Sequence, residues 1–218
     1  MLERTKDNDP FFKRITNEIY QAAQQRHSKF PLITNMKYGV AICPLPQTFV
    51  EYLKLIESSA IRNRKKADRL GYQFERINFN NHLEDIQAIR RSTDVRQGRL
   101  PDDFLTEKVE PCKNPISRNP CHDYPYFGVV KDGHLYAYAG CLIAGELCMI
   151  EHIYGHAAHQ ENGVVPLLYT GIAGYLYEHH PQVRCYGYGM FFGASESMKR
   201  FKKKFHFLPH RVRWILGE

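Results

Sequence analysis

The stretch from Tyr126 to Tyr154 leaves this chain little conformational freedom. It reads as three short apolar strands, YFGVVKD, HLYAYAGCLIA and ELCMIEHIY, with almost nothing between them. Lys131-Asp132-Gly133 and Ala144-Gly145 supply the two tight turns. Strands joined this closely form an antiparallel meander. After a polar loop, VVPLLYTGIAGYLYEHH predicts a helix and VRCYGYG a strand. That order gives one βαβ crossover following the meander. SESMKRFKKKF then reads as a helix and HRVRWIL as a closing strand. The expected class is a mixed α/β sheet with helices packed against it.

Upstream, residues 9–28 read as an amphipathic helix, with Asp9 as cap, Pro10 at its first position, and Phe12, Ile15, Ile19 and Ala22 on one face. A short strand is expected at Tyr38 to Cys43. A second helix is expected over 47–70, apolar early and basic late, ending at Gly71. YQFERINF, 72–79, alternates like a strand, and 82–97 is helical. Residues 98–125 read as a loop rich in Pro, Asp and Asn. The chain thus divides into an N-terminal helical extension, 1–71, and a mixed-sheet domain, 72–218.

The 218 residues carry a net charge of +7, which favours anionic partners without choosing among phosphates, nucleic acid and acidic lipid. No apolar run reaches the length of a membrane span, and the charged start MLERTKDNDPFF lacks the apolar stretch of a signal peptide, so a cytoplasmic protein is expected. The six cysteines show no CxxC pair and read as loop and core thiols. His152, His156 and His159 have tempting spacing, but GHAAH does not read as helical and would not gather them, so no metal is expected.

The densest charge lies in SESMKRFKKKFHFLP. In a helix starting near Ser195, Met198, Phe201 and Phe205 share the buried face, Lys202 lies beside it, and Lys199, Arg200 and Lys203 splay outward. Lys202 is therefore either a residue aimed at a site or one more surface lysine.

Over residues 72–216 the element order resembles the GNAT superfamily of N-acyltransferases. Gln160-Glu161-Asn162-Gly163-Val164-Val165 matches that family's phosphate-binding loop in its Gln and first Gly, and departs from it at bulky Val165 and at Pro166, which has no N–H. The C-terminal part is similar to the Fem-type branch and to arginyl/leucyl-protein transferases. It shares a Pro-opened helix (Pro166), the strand end Tyr186-Gly187-Tyr188-Gly189, and Phe201-Lys202 followed by Phe205.

The resemblance implies a GNAT-like acyl-CoA N-acyltransferase fold and acyl transfer to an amine. Glu151 or His152 would be the base; being adjacent, they are expected on opposite strand faces, with Glu151 preferred. A backbone N–H near Ile153, Tyr154 and Gly155, freed by a bulge, would hold the oxyanion. Lys202 takes a position often held by a leaving-group acid. Gln160, Gly163, Val164, Val165 and Ser195 would bind acetyl-CoA or another acyl-CoA. Arg96, Arg99 and Tyr188 would bind an acceptor carrying carboxylate or phosphate, a small molecule or a peptide. Fem-type enzymes take aminoacyl-tRNA, so a tRNA donor is the alternative, favoured by the basic runs at 62–69 and 199–204. A non-catalytic module that binds nucleic acid or protein is the third reading.

Overall fold

The computed structural model describes residues 9–27, 30–96, 100–114 and 116–215. In chain order these form α1 (Asn17–Gln24), β1 (Tyr38–Pro44), α2 (Phe49–Leu55), α3 (Ser58–Arg69), β2 (Gln73–Ile77), α4 (Leu83–Arg91), α5 (Asp102–Thr106) and β3 (His122–Asp123). They continue as β4 (Tyr126–Lys131), β5 (His134–Ala144), β6 (Leu147–Gly155), α6 (Val164–His179), β7 (Cys185–Met190), α7 (Glu196–Lys204) and β8 (Leu208–Arg211).

One sheet holds every strand, in the order β2-β4-β5-β6-β7-β1-β8, with β3 paired to β5. The β4-β5-β6 meander is antiparallel, and β7 joins β6 in parallel through the α6 crossover. Tyr38–Pro44, expected in a separate extension, is instead a strand of this sheet, antiparallel to both β7 and β8. The reason is burial: Val40, Ala41, Ile42 and Cys43 form a continuous apolar run, and their consecutive burial requires cover on both sheet faces.

Three other expectations shift. The helix over 47–70 is two helices, because Ile56 adopts an extended conformation that buries its side chain. A Thr48/Glu51 capping box starts the first of them. The helix over 82–97 ends at Arg91, where the Ser92 hydroxyl donates to the Ile89 carbonyl. The closing strand begins at Leu208, two residues early, and Trp214 lies past its end with its indole N–H on the Met36 carbonyl.

The main core packs α3, α6 and α7 on one sheet face, around Tyr169, Tyr186, Phe205 and Phe207. The other face is covered in two places, by Phe11 and the α1 side chains Ile19 and Tyr20 over Leu142 and Met149, and by α4 over Leu135 and Tyr138.

Asp9 fixes the N-terminal segment. Its buried carboxylate accepts hydrogen bonds from the Ser117 hydroxyl (2.8 Å) and from the Arg118 and Phe11 amides, and lies 3.1 Å from His122 Nδ1. Burial alone would raise its pKa, but these bonds together hold it below the ordinary carboxylate value. The linkage has one sign: stability from Asp9 is present above the unfolded pKa and is lost as pH falls through the lower folded value. Asp9→Ala is expected to cost about 3 kcal/mol, because it leaves His122 and two amides without their buried acceptor. Urea unfolding at pH 7 checks this, and the gap between wild type and variant should narrow below about pH 4.

Candidate active site

The α6 crossover makes β6 and β7 neighbours, but they pair only from Leu147/Cys185 to Ile150/Tyr188. There β6 bulges: Ile150 faces Cys141 and His152 faces Gly140, leaving Glu151 as the extra residue. A bulge sharpens the local twist. On the other side, Met190 at the end of β7 pairs with Val40 of β1. The two strands therefore part, and a cavity of about 390 Å³ opens between them, lined by Ile150–Tyr154, Tyr188–Met190, Phe192–Ala194 and Lys202.

The bulge lies at Glu151, upstream of the expected Ile153–Gly155. It also changes which side chains can cooperate. Glu151 and His152 do not diverge to opposite faces, since both reach one aromatic group. Glu151 accepts a 2.7 Å hydrogen bond from the Tyr124 hydroxyl. The Tyr124 ring lies 5.5 Å from that of Tyr126, which lies 5.7 Å from the His152 ring. Glu151 keeps surface open to the cleft, yet desolvation raises its carboxyl above the ordinary value, opposed in part by the Tyr124 bond. His152, stacked on Tyr154 and near Tyr138, is pushed down to about 4 by burial, with the Arg90 charge adding to the shift. It is neutral at pH 7.

The backbone of β6 supplies a further group. His156 donates its N–H to Tyr136 on the β5 side. By strand alternation the Ile153 amide faces away from β5, and Ile153 lines the cleft.

Lys202 enters from α7. Its ammonium donates to the Tyr188 (2.8 Å) and Met190 (2.6 Å) carbonyls at the end of β7, and lies 4.6 Å from the Tyr188 ring centroid. Its side chain is buried, which pushes its pKa down to about 8. Two of its three donors hold the strand end, and the side chain lines the cleft. Ser195, expected to touch a donor, caps α7 instead, its hydroxyl accepting the Met198 amide.

The expected phosphate loop lies apart from this cavity. Exposed Gln160 uses its carbonyl on the Gly163 amide. Gly163 turns left-handed (φ 85°) with the Asn63 carbonyl of α3 where a Cβ would stand. Lys66 holds the Glu161 carbonyl at 2.7 Å, Val164 is fully buried, and the Val165 side chain packs against Gly155. α3 thus covers the turn into α6, and none of residues 160–165 lines the cleft. This loop does not fit a coenzyme A pyrophosphate.

Arg96 does not present a free guanidinium to an acceptor. It donates to the Gly155 (3.0 Å) and Ile89 (2.7 Å) carbonyls, stacks on Tyr154, and burial lowers its pKa. It clamps the end of β6 to α4. Arg99 lies outside the described residues. Tyr124 and Phe192 carry no local signal in the sequence: Tyr124 reaches Glu151 only because β3 pairs with β5. Among the described residues, no cluster of three or more His, Cys, Asp or Glu could hold a metal ion, and no helix is long and apolar enough to cross a membrane.

No family model matches the chain, and no curated protein matches it. Solved structures do. FemX is similar at 12% identity and a TM-score of 0.61, over 79% of this chain and 59% of FemX. L-PGS from Bacillus licheniformis matches at 12% identity and 0.47, over 79% and 58%. The ribosomal-protein-S18-alanine N-acetyltransferase from Escherichia coli matches at 13% and 0.34, over 49% and 60%. The chain spans about three fifths of the length of each of these proteins. The likeness to FemX shows a shared mixed α/β fold.

Lys202 should titrate near pH 8 by NMR of its Nζ, not near the ordinary value of about 10.4. Lys202→Met removes the donor to two strand-end carbonyls and should cost about 1–3 kcal/mol by chemical denaturation.

Proposed function

We propose that this protein transfers an acyl group to an amine, and that its donor is an aminoacyl ester carried on RNA, not an acyl-CoA. One observation supports this donor most: the α6 turn, where an acyl-CoA pyrophosphate would lie, is covered by α3, with Asn63 and Lys66 on its carbonyls and glycine. The resemblance to Fem-type enzymes points the same way.

The cleft supplies each group such a reaction needs. An amine arrives protonated and must lose that proton before it attacks. Glu151, with a raised pKa, is the base; Tyr124 orients its carboxylate. Neutral His152 and its tyrosines form the wall against which the amine is placed. The nitrogen bonds to the ester carbonyl carbon, and the oxyanion that forms takes the Ile153 amide. The C–O bond to the ribose then breaks, Lys202 gives the departing oxygen a proton, and the attacking nitrogen, which still carries two protons, returns one to Lys202. The products are an amide and a free ribose hydroxyl. A lysine with a pKa near 8 is a far better proton donor at neutral pH than an ordinary one. With the Arg96 fork committed to backbone carbonyls, the acceptor is defined by its amine and not by an anionic group.

Thermal-shift measurements should show stabilisation by aminoacyl-tRNA or its acceptor-stem fragment and none by coenzyme A or acetyl-CoA; the reverse result overturns the reading. In a single-turnover assay Glu151→Gln should lower the rate about 10²- to 10⁴-fold. Activity against pH should rise as Glu151 ionises, above the ordinary carboxylate range, and fall as Lys202 loses its proton near 8.

A further inference from the structure

We propose that a duplex RNA stem docks on the exposed basic faces of α7 and α3, with its unpaired 3′ end passing Phe192 into the cleft. The inference rests on the aminoacyl-RNA reading of the donor and names the surface that would hold it.

α7 carries charge in two directions. Lys202 points into the cleft, while Arg200 and Lys203 are exposed and make no salt bridge among the described residues. The end of α7 meets the start of α3, where the Glu57 amide donates to the Lys204 carbonyl (2.9 Å). α3 then exposes Arg62, Lys65 and Arg69, again without salt bridges, on one helical face by their spacing. α3 has 12 residues and α7 has 9, so each face runs about 14–18 Å, room for a few phosphates of a stem.

The helix dipole accounts for only part of this charge. It favours cations in the last turn, as at Arg69, Lys203 and Lys204. It offers nothing to Arg62 and Lys65, in the middle of α3, and neither pairs with a carboxylate. An excess of cations over Asp68 and Glu196 on two joined helices, one of which reaches into the cleft, suits a polyanion whose reactive end lies inside.

Phe192 supplies a second, independent feature. It lines the cleft, and 62% of it is exposed. One edge of its ring lies over Gly39 (φ 72°), where a Cβ would come within 2.6 Å of it. That glycine lets the ring settle on the β1 backbone and leaves the rest of it in water. A fixed, exposed aromatic at the mouth of a cleft is a platform for an unpaired base.

The test uses two donors with the same aminoacyl ester: an acceptor-stem minihelix with a single-stranded 3′ end, and aminoacyl-adenosine. The double variant Arg200→Glu/Lys203→Glu should raise the KM for the minihelix about tenfold or more. It should also reduce the salt slope of minihelix binding by about 2, and leave kcat/KM for aminoacyl-adenosine unchanged. Arg200→Lys should retain wild-type behaviour. Phe192→Ala should lower kcat/KM for both donors about tenfold. Equal loss on both donors in the charge variant, or no loss on the minihelix, overturns the docking surface, as does a Phe192→Ala enzyme at full activity. A wild-type enzyme inactive with both donors overturns the donor assignment itself.

Discussion

The partial pairing of β6 with β7 is the constraint from which the site follows. Two parallel strands joined by a helical crossover would ordinarily pair along their length. Here the ladder stops at Ile150/Tyr188, because β6 takes up an extra residue at Glu151 and the end of β7 is drawn toward β1. The cost is a set of backbone groups without sheet partners. Lys202 meets part of that cost by donating to the Tyr188 and Met190 carbonyls, and Arg96 meets another part at Gly155. Lys202 thus lies in the cleft as a cation of lowered pKa, and Arg96 ties the end of β6 to α4.

The bulge has a second effect. It brings Glu151 and His152, which regular alternation would separate, to one aromatic wall with Tyr124 and Tyr126. Within that wall the two groups differ in charge: burial keeps the imidazole neutral, while the carboxyl stays close enough to solvent to ionise. A neutral wall beside a single carboxylate suits a reaction in which an ammonium must become an amine. The covering of the α6 turn by α3 lies apart from this cleft, and both features depend on local backbone geometry.

Most of the sheet was legible in the sequence because its signals are local. The meander is announced by Asp132-Gly133 and Ala144-Gly145, α6 by a long apolar run opened by Pro166, and the inward face of α7 by the spacing of Met198, Phe201 and Phe205. Lys202 could be singled out for the same reason. What could not be read is non-local. β1 looked like part of an extension because its partners, β7 and β8, lie more than 140 residues away. The break at Ile56 depends on a core pocket that the helical pattern does not encode. Arg96 looked like an anion reader because sequence cannot show two carbonyls waiting for it. Tyr124 sat in a segment read as a plain polar loop.

The place of β1 between β7 and β8 also bears on how the chain comes to be folded during synthesis. Val40 to Cys43 leave the ribosome more than 140 residues ahead of the strands that flank them. Until then this apolar segment has no sheet to join, and closing such distant pairs is slow. A nascent chain of this protein must therefore carry an unpaired, aggregation-prone strand while the intervening residues are made, a period in which chaperone cover would matter most.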